Sequence, residues 1–328
     1  MTRVCANIVY ICHMDRREFL KASSAAVAVT AIGVTTPLDA ANKKEKRPSN
    51  WASETGEASE RDLRARFLGT GAADWVAPDE RNEYRRLTSL LLDSRILIDF
   101  TRTDIDFLPS DCIPEAVFYT HSHRDHYNAE DEIRYVKAPV VYVSDTWLYK
   151  AREDFRSAAV KTGSTAPKII PLRIGERVTL GDITITPLPA NHSTSDYNED
   201  TLIYLIEKGS VRVLYATDTG GILSKAARIV GIDSHVDGRP ITGLIMEATM
   251  GMDHDEDFRI FTHSSVGLEK RTADVLLSNG RLTPPAGQPV YLTHMARTLH
   301  DTQARLDSDL PMPLRAAYDG LEVIFRPQ

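Results

Sequence analysis

Cysteine is scarce in this chain. The 328 residues include only three cysteines, Cys5, Cys12 and Cys112. The first two lie in an N-terminal segment that we expect to be removed, so the mature chain keeps one. A single cysteine cannot form an intrachain disulfide, and it offers no C-x-x-C pair for zinc. A disulfide scaffold and a cysteine-based zinc site are therefore excluded.

Positive charge is also in short supply. The chain has 39 Lys and Arg against 46 Asp and Glu, which gives a net charge of −7. An acidic chain is a poor general binder of nucleic acid, because the phosphate backbone repels it. The apolar run at residues 22–34 is too short and too rich in Ser and Thr to span a membrane comfortably. We expect no stable nucleic-acid complex and no membrane span in the mature form.

Paired arginines mark the N-terminal segment. Arg16-Arg17 is followed by Phe-Leu-Lys and then by the weakly apolar run at residues 22–34. This order resembles a twin-arginine export signal, and it predicts export to the bacterial periplasm or cell envelope. A disordered tail on a cytoplasmic protein is the alternative. The start codon is left open between Met1 and Met14.

Composition divides the chain into three segments. Residues 1–45 are assigned to the export signal and its cleavage region. Residues 46–62 form a charged linker without apolar periodicity, and residues 63–328 form the folded domain. In that domain, strands come first in hairpins and then alternate with helices, and this order repeats in each half. The pattern predicts an α+β fold with two antiparallel-rich sheets between layers of helices.

A dense histidine motif lies near the middle of the chain. Residues 120–127 read T-H-S-H-R-D-H-Y and contain three of the ten histidines. The apolar residues directly before them predict a buried strand, so the motif lies in the loop that leaves it. Because alternate residues of an extended loop point the same way, His121 and His123 can hold one ion. Asp125 and His126 then turn toward a second. Imidazole and carboxylate suit zinc or another borderline divalent metal.

Three further predicted strands end at ligand-type side chains. His192 follows the segment P-L-P-A-N, Asp218 follows V-L-Y-A-T, and His294 follows V-Y-L-T. A single histidine after a strand is usually a satisfied polar residue. Four ligand-bearing segments at the ends of buried strands instead predict one sheet edge that carries one cleft.

The ligand series resembles that of the metallo-β-lactamase superfamily of dinuclear hydrolases, over about residues 63–328. The F-L-G-T-G sequence at residues 67–71 and the L-I-D sequence at residues 97–99 also match. The resemblance implies a four-layer αβ/βα sandwich with two divalent metal ions, zinc first and manganese or iron as alternatives. It implies the first ion at His121, His123 and His192, the second at Asp125, His126 and His294, and a bridge at Asp218.

Within the superfamily, the chain is most similar to the cyclic phosphate phosphodiesterases of phosphonate metabolism and to the tRNA 3′-processing endonucleases. The likeness rests on residues 86–91, the F-T-H-S-S motif at 261–265 and the A-Y-D-G-L tail at 317–321. Residues 72–75 contain no cysteine, whereas the phosphonate enzymes carry a zinc knuckle there. The chain also lacks a basic insertion that could serve as an RNA-gripping arm. The substrate therefore cannot be copied from either group.

The implied function is a metal-dependent phosphodiesterase that hydrolyses a small cyclic or nucleotide-like phosphate ester with a metal-bridging hydroxide. The alternatives are a lactonase, thioesterase or arylsulfatase on the same site, and then a non-catalytic metal-dependent binding protein. True β-lactamases lack the bridging aspartate that Asp218 matches. Diiron oxygen reductases typically carry Glu where this chain has His123. A small-molecule ester is the expected partner, and a homodimer is left open.

Two side chains are assigned catalytic roles. Asp125 would orient the attacking water as well as bind metal. His263 lies outside the ligand series, before a predicted helix, and is the candidate general acid because a leaving alkoxide needs a proton. A surface histidine is the alternative, and we expect the helix start to lower its pKa. Glu247 and Asp99 would orient ligand histidines. Three other histidines are expected at the surface: His235, His254 and His300.

Overall fold

The structure of the protein, a computed structural model, describes residue 54 and residues 56–233 and 238–328. The export signal predicted over residues 1–45 lies outside this range and stays a prediction. Among the residues that the structure describes, no helix is both long and apolar enough to cross a membrane.

Two seven-stranded sheets form the centre of the domain. In spatial order, the first sheet contains β14 (Glu322–Phe325), β1 (Leu63–Gly69), β2 (Ser89–Leu92), β3 (Ile96–Ile98), β4 (Ala116–Phe118), β5 (Val140–Ser144) and β6 (Lys168–Leu172). The second contains β13 (Leu314–Ala316), β12 (Val290–Thr293), β11 (Gly243–Glu247), β10 (Val211–Ala216), β9 (Leu202–Lys208), β8 (Ile183–Pro189) and β7 (Val178–Leu180).

Each sheet is half antiparallel and half parallel. Strands β14 to β3 and β10 to β7 pair antiparallel with their neighbours in the sheet. Strands β3 to β6 and β10 to β13 pair parallel. The predicted excess of antiparallel pairing is therefore confined to half of each sheet, because strands joined by long crossovers pair in parallel.

Five helices flank the sheets in the described part of the chain. They are α1 (Ala129–Asp131), α2 (Leu148–Thr162), α3 (Ser224–Val230), α4 (Val266–Ser278) and α5 (Gln303–Asp309). A π-helical turn, Glu132–Val136, continues α1. The start of α4 is fixed by Ser265, whose hydroxyl accepts a hydrogen bond from the backbone N–H of Leu268.

Three apolar cores separate four layers. Phe67, Tyr215 and Tyr291 belong to the core between the two sheets. A second core, which includes Phe155, covers the outer face of the first sheet, and a third, which includes Leu276, covers that of the second. Because both faces of the central strands are buried, those strands are largely apolar, with Ser89 in β2 and Arg212 in β10 as polar exceptions. The α+β four-layer αβ/βα sandwich is thus confirmed.

The segments that carried the resemblance meet in the structure. The Asp319 carboxylate accepts hydrogen bonds from the hydroxyl of Thr70, at 2.8 Å, and from the backbone N–H of Arg86, at 2.7 Å. The chain needs glycine at position 69, because a Cβ there would lie 1.8 Å from the carbonyl oxygen of Leu87. The tail thereby closes the turn that follows β1.

One surface assignment was wrong. His300 is buried, and its Nε2 lies 2.6 Å from the carbonyl oxygen of Ala248. Burial and nearby Arg85 lower the pKa of His300 to about 4. Apart from Leu299, its neighbours in sequence are polar, so no apolar pattern predicted the burial. His254 is half-buried, and His235 lies outside the described residues.

Candidate metal centre

The predicted ligands come together at the carboxyl ends of strands from both sheets. The motif that begins at His121 leaves β4 of the first sheet. His192, Asp218 and His294 follow β8, β10 and β12 of the second sheet. The sequence predicted the edge of one sheet, whereas the structure uses the facing ends of two. A cavity of about 270 Å³ opens there. Its lining includes His123, Asp125, His192, Asp218, Thr249, Arg259, His263 and His294.

Three imidazoles form the first ligand group. Nδ1 of His123 lies 2.9 Å from Nε2 of His121 and 3.2 Å from Nε2 of His192. Burial lowers the pKa of His121 strongly, and His126 and His192 add to the effect. Burial also lowers the pKa of His192. Both rings are therefore neutral at pH 7, which is the form that binds metal.

Two imidazoles and one carboxylate form the second ligand group. Nε2 of His126 lies 3.3 Å from Nε2 of His294 and 3.3 Å from Oδ2 of Asp125. His294 Nε2 is 3.6 Å from the same Asp125 oxygen. This group is the one that the resemblance implied for the second ion, and its three donor atoms converge.

Asp218 lies between the two groups. Its Oδ2 is 2.5 Å from Nε2 of His126 and 3.9 Å from Nε2 of His121, while Oδ1 is 3.3 Å from Nε2 of His294. When His126 is neutral and donates through Nδ1 to Asp99, the buried Oδ2 receives no hydrogen bond from the described residues. A buried carboxylate oxygen without such a bond is costly unless a cation compensates it. The position and chemistry of Asp218 thus fit a bridging ligand.

The charges around His126 also favour a cation. Burial alone would lower the pKa of His126, but the carboxylates of Asp218, Asp125 and Asp99 outweigh it and raise the pKa well above the usual value. A site that draws a proton onto a buried imidazole stabilises positive charge. Imidazole nitrogens with carboxylate oxygens are the donor set of borderline divalent ions. The residues therefore fit a divalent metal.

Asp99 orients one ligand of each group. His126 Nδ1 donates to Oδ2 of Asp99 at 2.8 Å, which turns Nε2 toward the cluster. The Thr120 hydroxyl and backbone N–H donate to the same carboxylate, each at 2.8 Å. That hydroxyl oxygen is 3.0 Å from Nδ1 of His121 and can accept its proton. The sequence placed Asp99 beside a ligand histidine but did not show the route through Thr120.

Glu247 reaches His294 through a threonine. His294 Nδ1 lies 2.9 Å from the hydroxyl oxygen of Thr249, and that hydroxyl donates in turn to Glu247. Glu247 also accepts the backbone N–H of Thr219, next to the bridging aspartate. In the first group, His192 Nδ1 donates to the carbonyl oxygen of Thr262 at 3.2 Å. The bonds at Nδ1 of His294 and His192 leave Nε2 of each ring free to face the cavity.

Three residues of the site have left-handed backbone conformations. The φ angles are 55° at Asp99, 48° at Asp218 and 53° at His294. A residue other than glycine costs about 1–3 kcal/mol in such a sparsely populated region, and these costs concentrate at functional sites. All three residues directly follow strands or lie one residue beyond them. The sharp turn aims each side chain into the space between the sheets.

His263 lies in the same cavity and belongs to neither of the two groups that the resemblance implies, although its ring nitrogen also converges with donor atoms of His192 and Asp218. Its Nδ1 is 3.2 Å from Oε2 of Glu247 and 3.3 Å from Oδ1 of Asp218. Burial lowers the pKa of His263, but Glu247 and then Asp218 outweigh it and raise the pKa to about 9. The expected lowering by the helix start was therefore wrong, because a buried carboxylate contacts the ring directly.

Sequence reasoning missed several supporting residues. Glu199 accepts hydrogen bonds from the backbone N–H and hydroxyl of Ser122, at 2.6 and 2.5 Å, and from the Thr194 hydroxyl at 3.0 Å. It thereby joins the loops that carry His123 and His192. Nothing in its polar surroundings signalled this role. Thr249 was detectable, because it lies two residues after Glu247 and so on the same side of an extended chain.

Comparisons with known proteins agree with this geometry. The profile of the Beta-lactamase superfamily domain matches residues 111–283, just over half of the chain. The fold is similar to that of the metallo-β-lactamase fold protein YhfI from Bacillus subtilis. The two share 16% identity and a TM-score of 0.56, over 80% of this chain and 99% of that one. No curated protein sequence matches the chain.

Two further solved structures share the fold. Zinc-bound PqqB from Methylobacterium extorquens has 15% identity and a TM-score of 0.56, over 79% of this chain and 99% of its own. The short form of human tRNase Z has 14% identity and a TM-score of 0.54, over 79% and 98%. At identities this low, the similarity establishes the common fold only. The substrate has to be inferred from the residues of the site.

Proposed function

Because the chain belongs to the metallo-β-lactamase superfamily and is a metal-dependent hydrolase, we propose that it is a phosphodiesterase. Its substrate would be a small cyclic or nucleotide-like phosphate ester. The observation that carries the proposal is His263, an imidazole that faces the ligand cluster without belonging to either ligand group. An alkoxide that leaves a phosphodiester or a lactone needs a proton, whereas the thiolate of a thioester or the phenolate of an aryl sulfate leaves without one.

We assign two divalent ions to the centre, with zinc as the first choice. His121, His123 and His192 would hold one, Asp125, His126 and His294 the other, and Asp218 would bridge them. Such ions supply Lewis acidity, which brings the pKa of water toward neutrality and offsets negative charge on ester oxygens. Asp99, Glu199 and Thr249 hold the ligands in place, so little reorganisation is needed when the ester binds.

Asp125 combines two properties that suit it to orient water. Its side chain is 15% exposed, whereas the side chain of Asp218 is 4% exposed, so Asp125 faces the cavity more openly. Burial would raise the pKa of Asp125, but His126 and His294 hold it well below its usual range. The carboxylate stays ionised and can accept a hydrogen bond from an attacking water.

The lining of the cavity supports a small anionic ester. Arg259 lines it, and its Nε donates to the Asp257 carboxylate at 3.0 Å, which fixes the guanidinium beside the ligands. Arginine at such a place suits phosphoryl oxygens. A volume of about 270 Å³ suits a phosphoryl group with a small substituent. The net charge of −7 disfavours a polynucleotide substrate.

A panel of chromogenic esters tests the reaction class. Metal-loaded protein, with its metal content measured, is offered bis-p-nitrophenyl phosphate, a lactone, a thioester and an aryl sulfate. The proposal predicts the highest kcat/KM for the phosphodiester. A lactone or another ester that is turned over faster would replace the phosphodiesterase assignment. Metal binding without any turnover would favour a binding protein.

The general acid is tested by His263→Ala. We expect kcat to fall by about 10²–10⁴-fold on an alkyl phosphodiester, whose leaving group needs a proton. On a p-nitrophenyl ester the loss should be much smaller, and the metal content should not change. His254→Ala, outside the cavity, is the matched control. An equal loss on both esters would leave His263 a binding role only, and loss of metal would make it a ligand.

A further inference from the structure

A second and larger cavity adjoins the candidate metal centre. Its volume is about 710 Å³, and His123 lines both cavities, so the two meet at a first-group ligand. Most ligand pockets enclose roughly 300–1,000 Å³. The cavity at the ligands, at about 270 Å³, is below this range, and the adjoining one lies within it. An ester larger than its reacting group would extend from the first cavity into the second.

In the lining of the second cavity, one positively charged side chain has no negatively charged partner. Lys150 pairs with Asp154, and Lys161 pairs with Glu130 at 2.5 Å. Arg124 is the remaining charged side chain of the lining, and within the described part of the chain it forms no hydrogen bond or ion pair. The lining therefore has one uncompensated positive charge, on a protein whose net charge is −7.

Arg124 is also placed to read a substrate. It directly follows His123 in the chain, and its side chain is exposed. Because Glu199 holds Ser122, two residues before Arg124, through two hydrogen bonds, the loop that carries Arg124 is anchored. An exposed guanidinium on an anchored loop can form paired hydrogen bonds with a phosphate or carboxylate at little cost in backbone order.

We propose that the second cavity binds the part of the ester that lies away from the scissile bond. Arg124 selects substrates that carry a second anionic group there. This inference rests on the proposed function, since it assumes that the reacting phosphoryl group occupies the candidate metal centre. The substrate class narrows from small phosphodiesters in general to phosphodiesters with a further anionic group.

Calorimetry with two product-like ligands tests the proposal without turnover. Zinc-loaded protein is titrated with thymidine 5′-monophosphate and with thymidine 3′,5′-bisphosphate, which differ by one phosphate. We expect the bisphosphate to bind about 10–100-fold more tightly, as for one charged hydrogen-bonding contact. Arg124→Gln should bring the ratio of the two dissociation constants close to 1. Arg124→Lys, which keeps the charge but not the paired bonds, should give an intermediate ratio.

The matched control is Arg152→Gln. Arg152 is an exposed arginine on the adjacent helix α2 that does not line the cavity, so its loss removes the same charge and should keep the wild-type ratio. Equal affinities in the wild-type protein would overturn the proposal, whatever the variants do. If Arg152→Gln lowered the preference for the bisphosphate as much as Arg124→Gln does, that preference would reflect the overall charge of the protein, and the proposal would also be overturned. A preference that depends on Arg124 in a protein that hydrolyses no phosphodiester would keep the subsite and refute the proposed function.

Discussion

The two ligand groups differ in burial and in support. In the second group, His126 and His294 are 0% and 2% exposed and Asp125 is half-buried. In the first group only His121, at 1%, is buried, while His123 and His192 are half-buried. Both cavities also touch the first group, through His123. The cavity at the ligands reaches both groups, but the second cavity reaches only the first, so the second position is the more closed of the two.

The two groups also differ in the hydrogen bonds that support their ligand rings. In the second group, Asp99 accepts directly from His126, and the Thr249 hydroxyl accepts directly from His294. In the first group, the Thr120 hydroxyl can accept from His121, and the carbonyl oxygen of Thr262 accepts from His192. Among the described residues the His123 ring contacts only other ligand rings, and Glu199 supports it through the loop, by way of Ser122. Direct support fixes the ring orientation itself, while loop support fixes only the backbone. We therefore expect the second position to bind its ion more tightly.

The largest effect is expected from Asp218→Ala, which removes the contact common to both groups. Most of the bound metal should be lost, and activity should fall by more than the roughly 10–100-fold that supporting residues contribute. Metal analysis of the purified variant, with Asp274→Ala on the surface of α4 as control, measures this. Full activity with unchanged metal content would refute the bridging assignment.

A smaller and selective effect is expected from Thr249→Val. The change removes the hydrogen-bond acceptor of His294 at nearly constant side-chain volume, so affinity at the second position should fall by about 10–100-fold. Zinc titration monitored by calorimetry separates the positions. Thr242→Val, a buried threonine outside the cavity, controls for general destabilisation. Equal weakening at both positions would show that the threonine supports the whole cluster.

The smallest effect is expected from Glu199→Gln. The amide keeps one acceptor for Ser122 but loses the charge, and it acts on the ligands only through the loop. Affinity at the first position should fall by about 10-fold or less, the lower end for supporting residues. Glu132→Gln, at a buried glutamate outside the cavity, is the control. If Glu199→Gln lowered the zinc affinity of the second position alone, Glu199 would support the second group and not the first.

The ligand series was predictable because strands and their ends leave local signals. Apolar runs ended at His121, His192, Asp218 and His294, and the structure places each at the end of a buried strand. Helix α5 and strand β13 were missed. The helix is seven residues long and the strand three, so neither spans enough sequence to show a period.

The supporting contacts were not predictable, because they are made between distant segments. Glu199 reaches Ser122 across 77 positions, and His126 reaches Asp99 across 27. The left-handed turn at Asp218 also left no trace, since it follows from the packing of two sheets rather than from a glycine. Local sequence thus indicated which side chains converge in the candidate metal centre, and tertiary packing specified what holds them there.

Zinc titration of the metal-free protein tests the central claim most directly. The account predicts two zinc ions per chain that bind in two steps. Thr249→Val should weaken the tighter step and Glu199→Gln the weaker one. A single zinc ion per chain, or two variants that weaken the same step, would contradict a centre built from one closed and one open position.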